Sequence, residues 1–219
     1  MYEVYMAVES WVTKAPFRIT GYTFTEARVL TVTITKNNIT GRGEATGVYY
    51  RGETGDSMLT QAETVKEVLK EGLSREQLQH VLPAGGARNA IDCALWDLEA
   101  KQKGKSIWEL TGIRSKEVIT VNTVGIGKPS EMAMTAASID TSKIKVKLNG
   151  ENPLECVQAV YAACPEAEII VDVNQGWTFE QLVELAPKFI ELGVAMIEQP
   201  LPRGNDAELE HYQSPIPLC

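Results

Sequence analysis

Residues 143–148 read KIKVKL, residues 168–174 read EIIVDVN, and residues 195–201 read AMIEQPL. Each is a short apolar run with charge near its C-terminal end: Lys145 and Lys147, then Asp172 with Asn174, then Glu198. The steps, 25 residues from 147 to 172 and 26 from 172 to 198, are one strand-plus-helix unit each. Parallel strands covered on both faces are almost wholly apolar, so a charge at one relative point of three successive strands is costly unless the groups pair or bind a metal. A shared position on successive strands places them at one mouth.

Outward from these strands the pattern is regular. A strand VITVNTVGI is expected at 118–126 and another from Ile216, with helices at 129–138, 153–164, 178–192 and 205–213. Strand alternating with helix at a steady interval implies parallel βαβ units. A doubly wound sheet and a (β/α)₈ barrel share this periodicity. No GxGxxG turn follows any strand, and charged groups gathered at strand C-terminal ends favour the barrel, whose loops converge there.

The front of the chain reads differently. Residues 2–12, 28–36 (RVLTVTITK) and 40–50 alternate at period two and are separated by Asn37-Asn38 and by Gly41 and Gly43. That predicts a three-stranded antiparallel meander. Lys14 to Glu26 interrupts it and Tyr49 to Ser57 follows it, each read as a mobile flap. From Met58 the period becomes helical; Ile91, Ala94, Leu95 and Leu98 fall at i, i+3, i+4 and i+7, with Gly104 as a stop. The expected class is α/β: an α+β domain over 1–116, then the first four to five strands of a (β/α)-barrel over 117–219.

Composition narrows the partners. The net charge of -8 is spread without a basic block, which argues against nucleic acid and an anionic membrane surface. The four cysteines, Cys93, Cys156, Cys164 and Cys219, show no CxxC spacing, so neither a zinc site nor a disulfide framework is indicated and a cytoplasmic protein is expected. The N-terminus lacks a basic region followed by an apolar run, and no stretch approaches the length of a membrane span. A small-molecule partner is expected, together with a cation.

The residue types suggest the chemistry. Asp172 and Glu198, as oxygen donors on neighbouring strands, suit one divalent cation such as Mg²⁺, with positions left for water and a substrate carboxylate. Lys145 and Lys147 are two apart and share one side of their strand. A second ammonium and a metal ion both disfavour the charged form, so a lowered lysine pKa and a general base are expected. A lysine base beside a carboxylate-held metal suits removal of a proton next to a carboxylate. Singly, each group has a plainer reading: a strand-end carboxylate is often a helix cap, and paired lysines protect exposed edge strands. One register on three strands makes them a site.

With GARNAIDCALWDLEAKQKGKSIWEL (86–110), the Lys-x-Lys of KIKVKL, VDVNQGW (171–177) and IEQPL (197–201), nearly the whole chain resembles the enolase superfamily, in its muconate-lactonizing subgroup and among dipeptide epimerases. The resemblance implies an isomerase, a racemase or epimerase, that abstracts the α-proton of a carboxylate substrate through a Mg²⁺-stabilised enediolate. It implies Lys147 as catalytic acid/base, Lys145 as its neighbour, Asp172 and Glu198 as metal ligands, Asn174 close to the metal shell, and Thr123 as a substrate-binding position. The N-terminal domain would be the cap, with loops near 14–26 and 48–56 closing over the barrel mouth; Arg18, Tyr22 and Arg51 are candidates for substrate selection there. A dipeptide substrate and a homo-oligomer are expected. Muconate cycloisomerisation, o-succinylbenzoate synthesis and N-acylamino-acid racemisation share these motifs, and a non-catalytic binding module is the reading from another class. The family's third metal ligand and its second lysine are expected beyond Cys219, so the chain reads as the front part of a longer enzyme.

Overall fold

In β2 (Tyr22–Lys36) the side chains of Leu30, Val32 and Ile34 are wholly buried. Their register partners on β3 (Ile39–Thr46) are Ala45, Gly43 and Gly41. The sheet therefore presents an aliphatic ridge beside a floor of small residues, and the backbone of α4 (Gly86–Lys103) lies in that floor. A Cβ at Gly41 would meet Ala94 O and Leu98 N, and one at Gly43 would meet Ala90 O and Ala94 N. The buried stripe of α4, with Ile91, Leu95 and Leu98, closes the core. Asn37 and Asn38, both at positive φ (52° and 62°), make the two-residue hairpin turn between β2 and β3. With β1 (Glu3–Ile19) the sheet order is β1-β2-β3.

The computed structural model describes residues 1–219. It divides into two units: Met1–Lys14 with Thr25–Lys116, and Ala15–Phe24 with Glu117–Cys219. The first unit also holds α1 (Gly55–Glu63), α2 (Lys66–Lys70), α3 (Arg75–Val81) and α5 (Ile107–Thr111). Thr54 with Ser57, Ser74 with Gln77 and Ser106 with Glu109 form reciprocal capping boxes that start α1, α3 and α5.

In the second unit β4 (Asn122–Val124), β5 (Lys143–Lys147), β6 (Glu168–Asp172) and β7 (Val194–Glu198) form one parallel sheet in sequential order. The crossovers are α6 (Pro129–Ala137), α7 (Pro153–Ala163) and α8 (Phe179–Glu191). A further parallel bridge joins Ile197 to Leu218. Ile144, Val146, Ile169, Val171 and Ile197 pack with Val157, Val160, Leu182 and Phe189 into a core of buried aliphatics. The alternate residues, Lys145, Lys147, Asp172 and Glu198, project from the other side of the sheet. No helix is long and apolar enough to cross a membrane.

Three sequence expectations change. Lys14 to Glu26, read as an interruption, is regular: β1 runs to Ile19, β2 starts at Tyr22, and Thr20-Gly21 is the turn. Its aromatics, which look like loop residues in sequence, stack along the ribbon, Tyr22 on Phe24 at 4.4 Å and Phe17 on Phe24 at 6.3 Å. The strand expected at 118–126 is paired only over Asn122–Val124, and Val118 and Ile119 are exposed. The helix expected at 205–213 shrinks to the 3₁₀ turn Ala207–Glu210, which fully buries no residue; Leu209 and, just beyond it, Tyr212 pack only partly buried against the core.

Candidate active site

Strand register assembles the charges. Lys147 is the partner of Asp172, and Asp172 of Glu198, while Thr123 is the partner of Lys145 one level below. The Lys147 ammonium is 2.6 Å from Asp172 Oδ2 and 2.9 Å from Asn174 Oδ1. Lys145 Nζ lies 3.1 Å from the same Asp172 oxygen and 2.5 Å from Glu198 Oε2. Asp172 is 1% exposed and Lys147 9%, so these charges are held by one another rather than by water.

The backbone beyond each strand serves the same arrangement. Asn174, Gln175 and Gln199 adopt left-handed conformations (φ 49°, 68° and 46°). For a glutamine this is uncommon and costs energy, so the surrounding structure must enforce it. Here the Gln175 N–H donates to Gln199 O at 2.8 Å, and the Asn174 N–H donates to Asp172 Oδ1 at 3.0 Å. Those turns bring the Asn174 side chain back to Lys147. Trp177, buried against Phe189, donates from Nε1 to Asn149 O at 2.9 Å and fixes the loop after β5 to the loop after β6.

Burial alone drives the Lys145 ammonium toward its neutral form, but hydrogen bonds to Glu198 and Asp172 outweigh it and hold its pKa above the usual lysine range. That rise comes from the two carboxylates that Lys145 contacts. Burial pushes the Asp172 carboxyl up, and Lys147 and Lys145 together pull it below the ordinary aspartate value. Asp172 and Glu198 already converge on a single positive charge, the Lys145 ammonium. A hard divalent cation asks for the same oxygen donors and commonly takes one or two protein carboxylates, completing its shell with water and substrate oxygens. The donor set fits Mg²⁺; no third His, Cys, Asp or Glu gathers with these two.

Of the remaining candidates, Thr123 is exposed on β4. Arg18 lines a cavity of about 400 Å³ with Lys128, Glu131, Asn149 and Glu151. Tyr22 is partly exposed on the hairpin tip. Arg51 belongs to the first unit, at the end of the 3₁₀ turn Tyr49–Arg51. Thr20, Phe17 and Gly176 also lie at the ends of β5 and β6; they stand in the stretches PFRIT (16–20) and VDVNQGW (171–177), neither of which marks them individually as site residues.

Residues 1–112 match the family described as "Mandelate racemase / muconate lactonizing enzyme, N-terminal domain", and residues 130–219 match "Enolase C-terminal domain-like". The chain belongs to the enolase superfamily. Its relatives include L-Ala-D/L-Glu epimerase of Escherichia coli K12, 43% identical over 215 residues, covering 96% of this chain and 67% of that protein. An enolase family member from Agrobacterium tumefaciens with homology to dipeptide epimerases, solved with bound sodium and L-Ala-L-Glu, superposes with a TM-score of 0.96 at 34% identity, over 100% of this chain and 68% of that one. A dipeptide epimerase from Methylococcus capsulatus, complexed with Mg and L-Arg-D-Lys, gives a TM-score of 0.83 at 27% identity, over 96% of this chain and 64% of that one. This enolase-superfamily chain thus spans about two-thirds of the length of the proteins it matches. Its relatives are named epimerases and racemases, which are isomerases.

Proposed function

We propose that the chain carries the proton-transfer and metal-holding part of a dipeptide epimerase acting at the α-carbon of the residue that bears the free carboxylate. The observation that carries this reading is the Lys147 ammonium, 9% exposed and held at 2.6 Å by Asp172 and 2.9 Å by Asn174 on a strand end. Two hydrogen bonds fix the direction of its nitrogen, which is what a group removing a proton from one face of a carbon requires. Lys147, when neutral, takes the α-proton at Nζ from one face of the carbon, and inversion then requires a proton delivered to the opposite face by a second group. Lys145, one level below on the same side of β5, lends positive charge near the substrate carboxylate. Asp172 and Glu198 would hold Mg²⁺ through their carboxylate oxygens. When bound, the ion supplies positive charge against which negative charge on the substrate carboxylate can build as the C–H bond breaks.

A dipeptide is favoured by the relatives: L-Ala-L-Glu is bound in the 34%-identical Agrobacterium protein, and the E. coli protein is named for L-Ala-D/L-Glu. The test is exchange of the substrate α-proton in deuterated water with Mg²⁺, using L-Ala-L-Glu within a panel of dipeptides and N-acetyl amino acids. Exchange into a dipeptide that is lost in Lys147→Ala supports the proposal. Exchange that persists in Lys147→Ala removes Lys147 as the base, and exchange confined to N-acetyl amino acids replaces the dipeptide.

A further inference from the structure

The hairpin tip, residues 15–24, belongs to the second unit, where it rests on the strand ends that carry Lys147 and Asp172. Ile19 is buried there, and the Thr20 hydroxyl beside it lies 2.8 Å from Val173 O and 3.2 Å from Leu148 O. A hydroxyl has one hydrogen to donate, so it is shared between the two carbonyls, mainly with the nearer. Those carbonyls belong to the residues directly after Asp172 and Lys147. One side chain, 128 and 153 positions away in sequence, therefore ties together the exits of β5 and β6.

Gly176 gives an independent sign that this seat is built. A Cβ there would stand 2.7 Å from Thr20 Oγ1, 2.9 Å from Thr20 Cγ2 and 3.0 Å from Val173 O. Gly176 is not among the positive-φ glycines, so backbone freedom does not account for it; the close approach of Thr20 does. Three residues before Thr20, the Phe17 ring stands 5.9 Å from Lys147 Nζ, at the outer reach of a cation–π contact.

We infer that Thr20, seated on Gly176, is a positioning residue. Its hydroxyl latches the 15–24 tip to the ends of β5 and β6 and so sets Phe17 beside the Lys147 ammonium, covering it on that side. The latch stands on geometry alone; its effect on turnover rests on Lys147 being the base.

Hydrogen-exchange mass spectrometry of the full chain tests the latch. Thr20→Val keeps the shape and removes the donor, and loss of one hydrogen bond corresponds to tip amides at 15–24 exchanging about 3- to 10-fold faster. Thr20→Ser should restore protection. Gly176→Ala should open the tip in the presence of Thr20 and have a smaller effect on Thr20→Ala, because the two nearest atoms it strikes are then gone and only Val173 O at 3.0 Å remains. Unchanged protection in both Thr20→Val and Gly176→Ala overturns the latch. For the positioning role, Thr20→Val should lower kcat for α-proton exchange roughly tenfold with at most about a twofold change in KM, and Thr20→Ser should recover it. A loosened tip with unchanged kcat overturns that role. Absence of α-proton exchange in the unsubstituted chain would count against the epimerase reading, while the hydrogen-exchange result still decides the latch.

Discussion

Lys147 and Asp172 occupy paired positions on adjacent parallel strands, and one oxygen of Asp172 serves both lysines, Lys147 Nζ at 2.6 Å and Lys145 Nζ at 3.1 Å. The carboxylate is 1% exposed, so neither ammonium could replace it readily with water. Removing one partner from a buried charge cluster costs more than the cluster contributes, because it leaves uncompensated charge behind. Asp172→Ala should therefore destabilise the protein by about 3–5 kcal/mol. Urea unfolding would show a lowered midpoint at unchanged slope, and a shift worth less than about 1 kcal/mol would mean that water solvates the lysines after all.

The same cluster sets a pH profile. Asp172 has a folded pKa below its unfolded value of about 3.9, so its contribution to stability is present above that value and disappears as pH falls through the folded pKa. Lys145 has a folded pKa above its unfolded value of about 10.4, so its contribution is present below that value and is lost as pH rises through the folded pKa. Melting temperature should be flat between these limits and fall on both sides. Asp172→Asn should start lower and lose the steepness of the acid limb; an acid limb of unaltered steepness would place the responsible carboxylates elsewhere.

These charges were legible in the sequence because period-two alternation and the one-unit spacing from Lys147 to Asp172 to Glu198 are local quantities. Their pairing was not. Two lysines two residues apart suggest mutual repulsion, and only the folded register reveals that Asp172 is shared by both ammoniums while Glu198 pairs with Lys145. Helix α4 was readable from Ile91, Ala94, Leu95 and Leu98, all buried in its stripe. The contacts of Thr20 were not readable, since its partners are 128 and 153 residues distant and a threonine in a turn has no signature of a long-range donor. The short 3₁₀ turn at Ala207–Glu210 reads as a helix in sequence because Leu209 and Tyr212 fall at helical spacing, yet both are only partly buried against the core and no residue of the turn is fully buried.

Gly43 offers a prediction for the first unit. Its Cα faces the backbone of α4, where any Cβ would strike Ala90 O and Ala94 N. Backbone atoms of a helix cannot turn aside as a side chain can, so Gly43→Ala must lift α4 from the sheet or displace β3. A cost of about 1–3 kcal/mol or more is expected, the range for overpacking. Gly125→Ala, with open space around its Cβ, is the control. Thermal unfolding followed by circular dichroism should separate the two; equal melting points would mean that the sheet and helix have slack at this contact.

Lys145 and a divalent cation would compete for the same oxygens, and the competition is measurable. Lys145 Nζ holds Glu198 at 2.5 Å and Asp172 at 3.1 Å, so a cation on those carboxylates must displace the ammonium. A ligand that binds only the folded state stabilises it by about 2.7 kcal/mol at a hundredfold excess over its Kd. Mg²⁺ should therefore raise the melting temperature. Glu198→Gln, which halves the anionic charge, should abolish most of that rise. Lys145→Met should enlarge it, because the two carboxylates then face each other without a counter-charge until the metal arrives. A Mg²⁺ response in Lys145→Met no greater than that of the unsubstituted chain would show that the ammonium and the metal do not share a site, and would move the cation away from the Asp172–Glu198 pair.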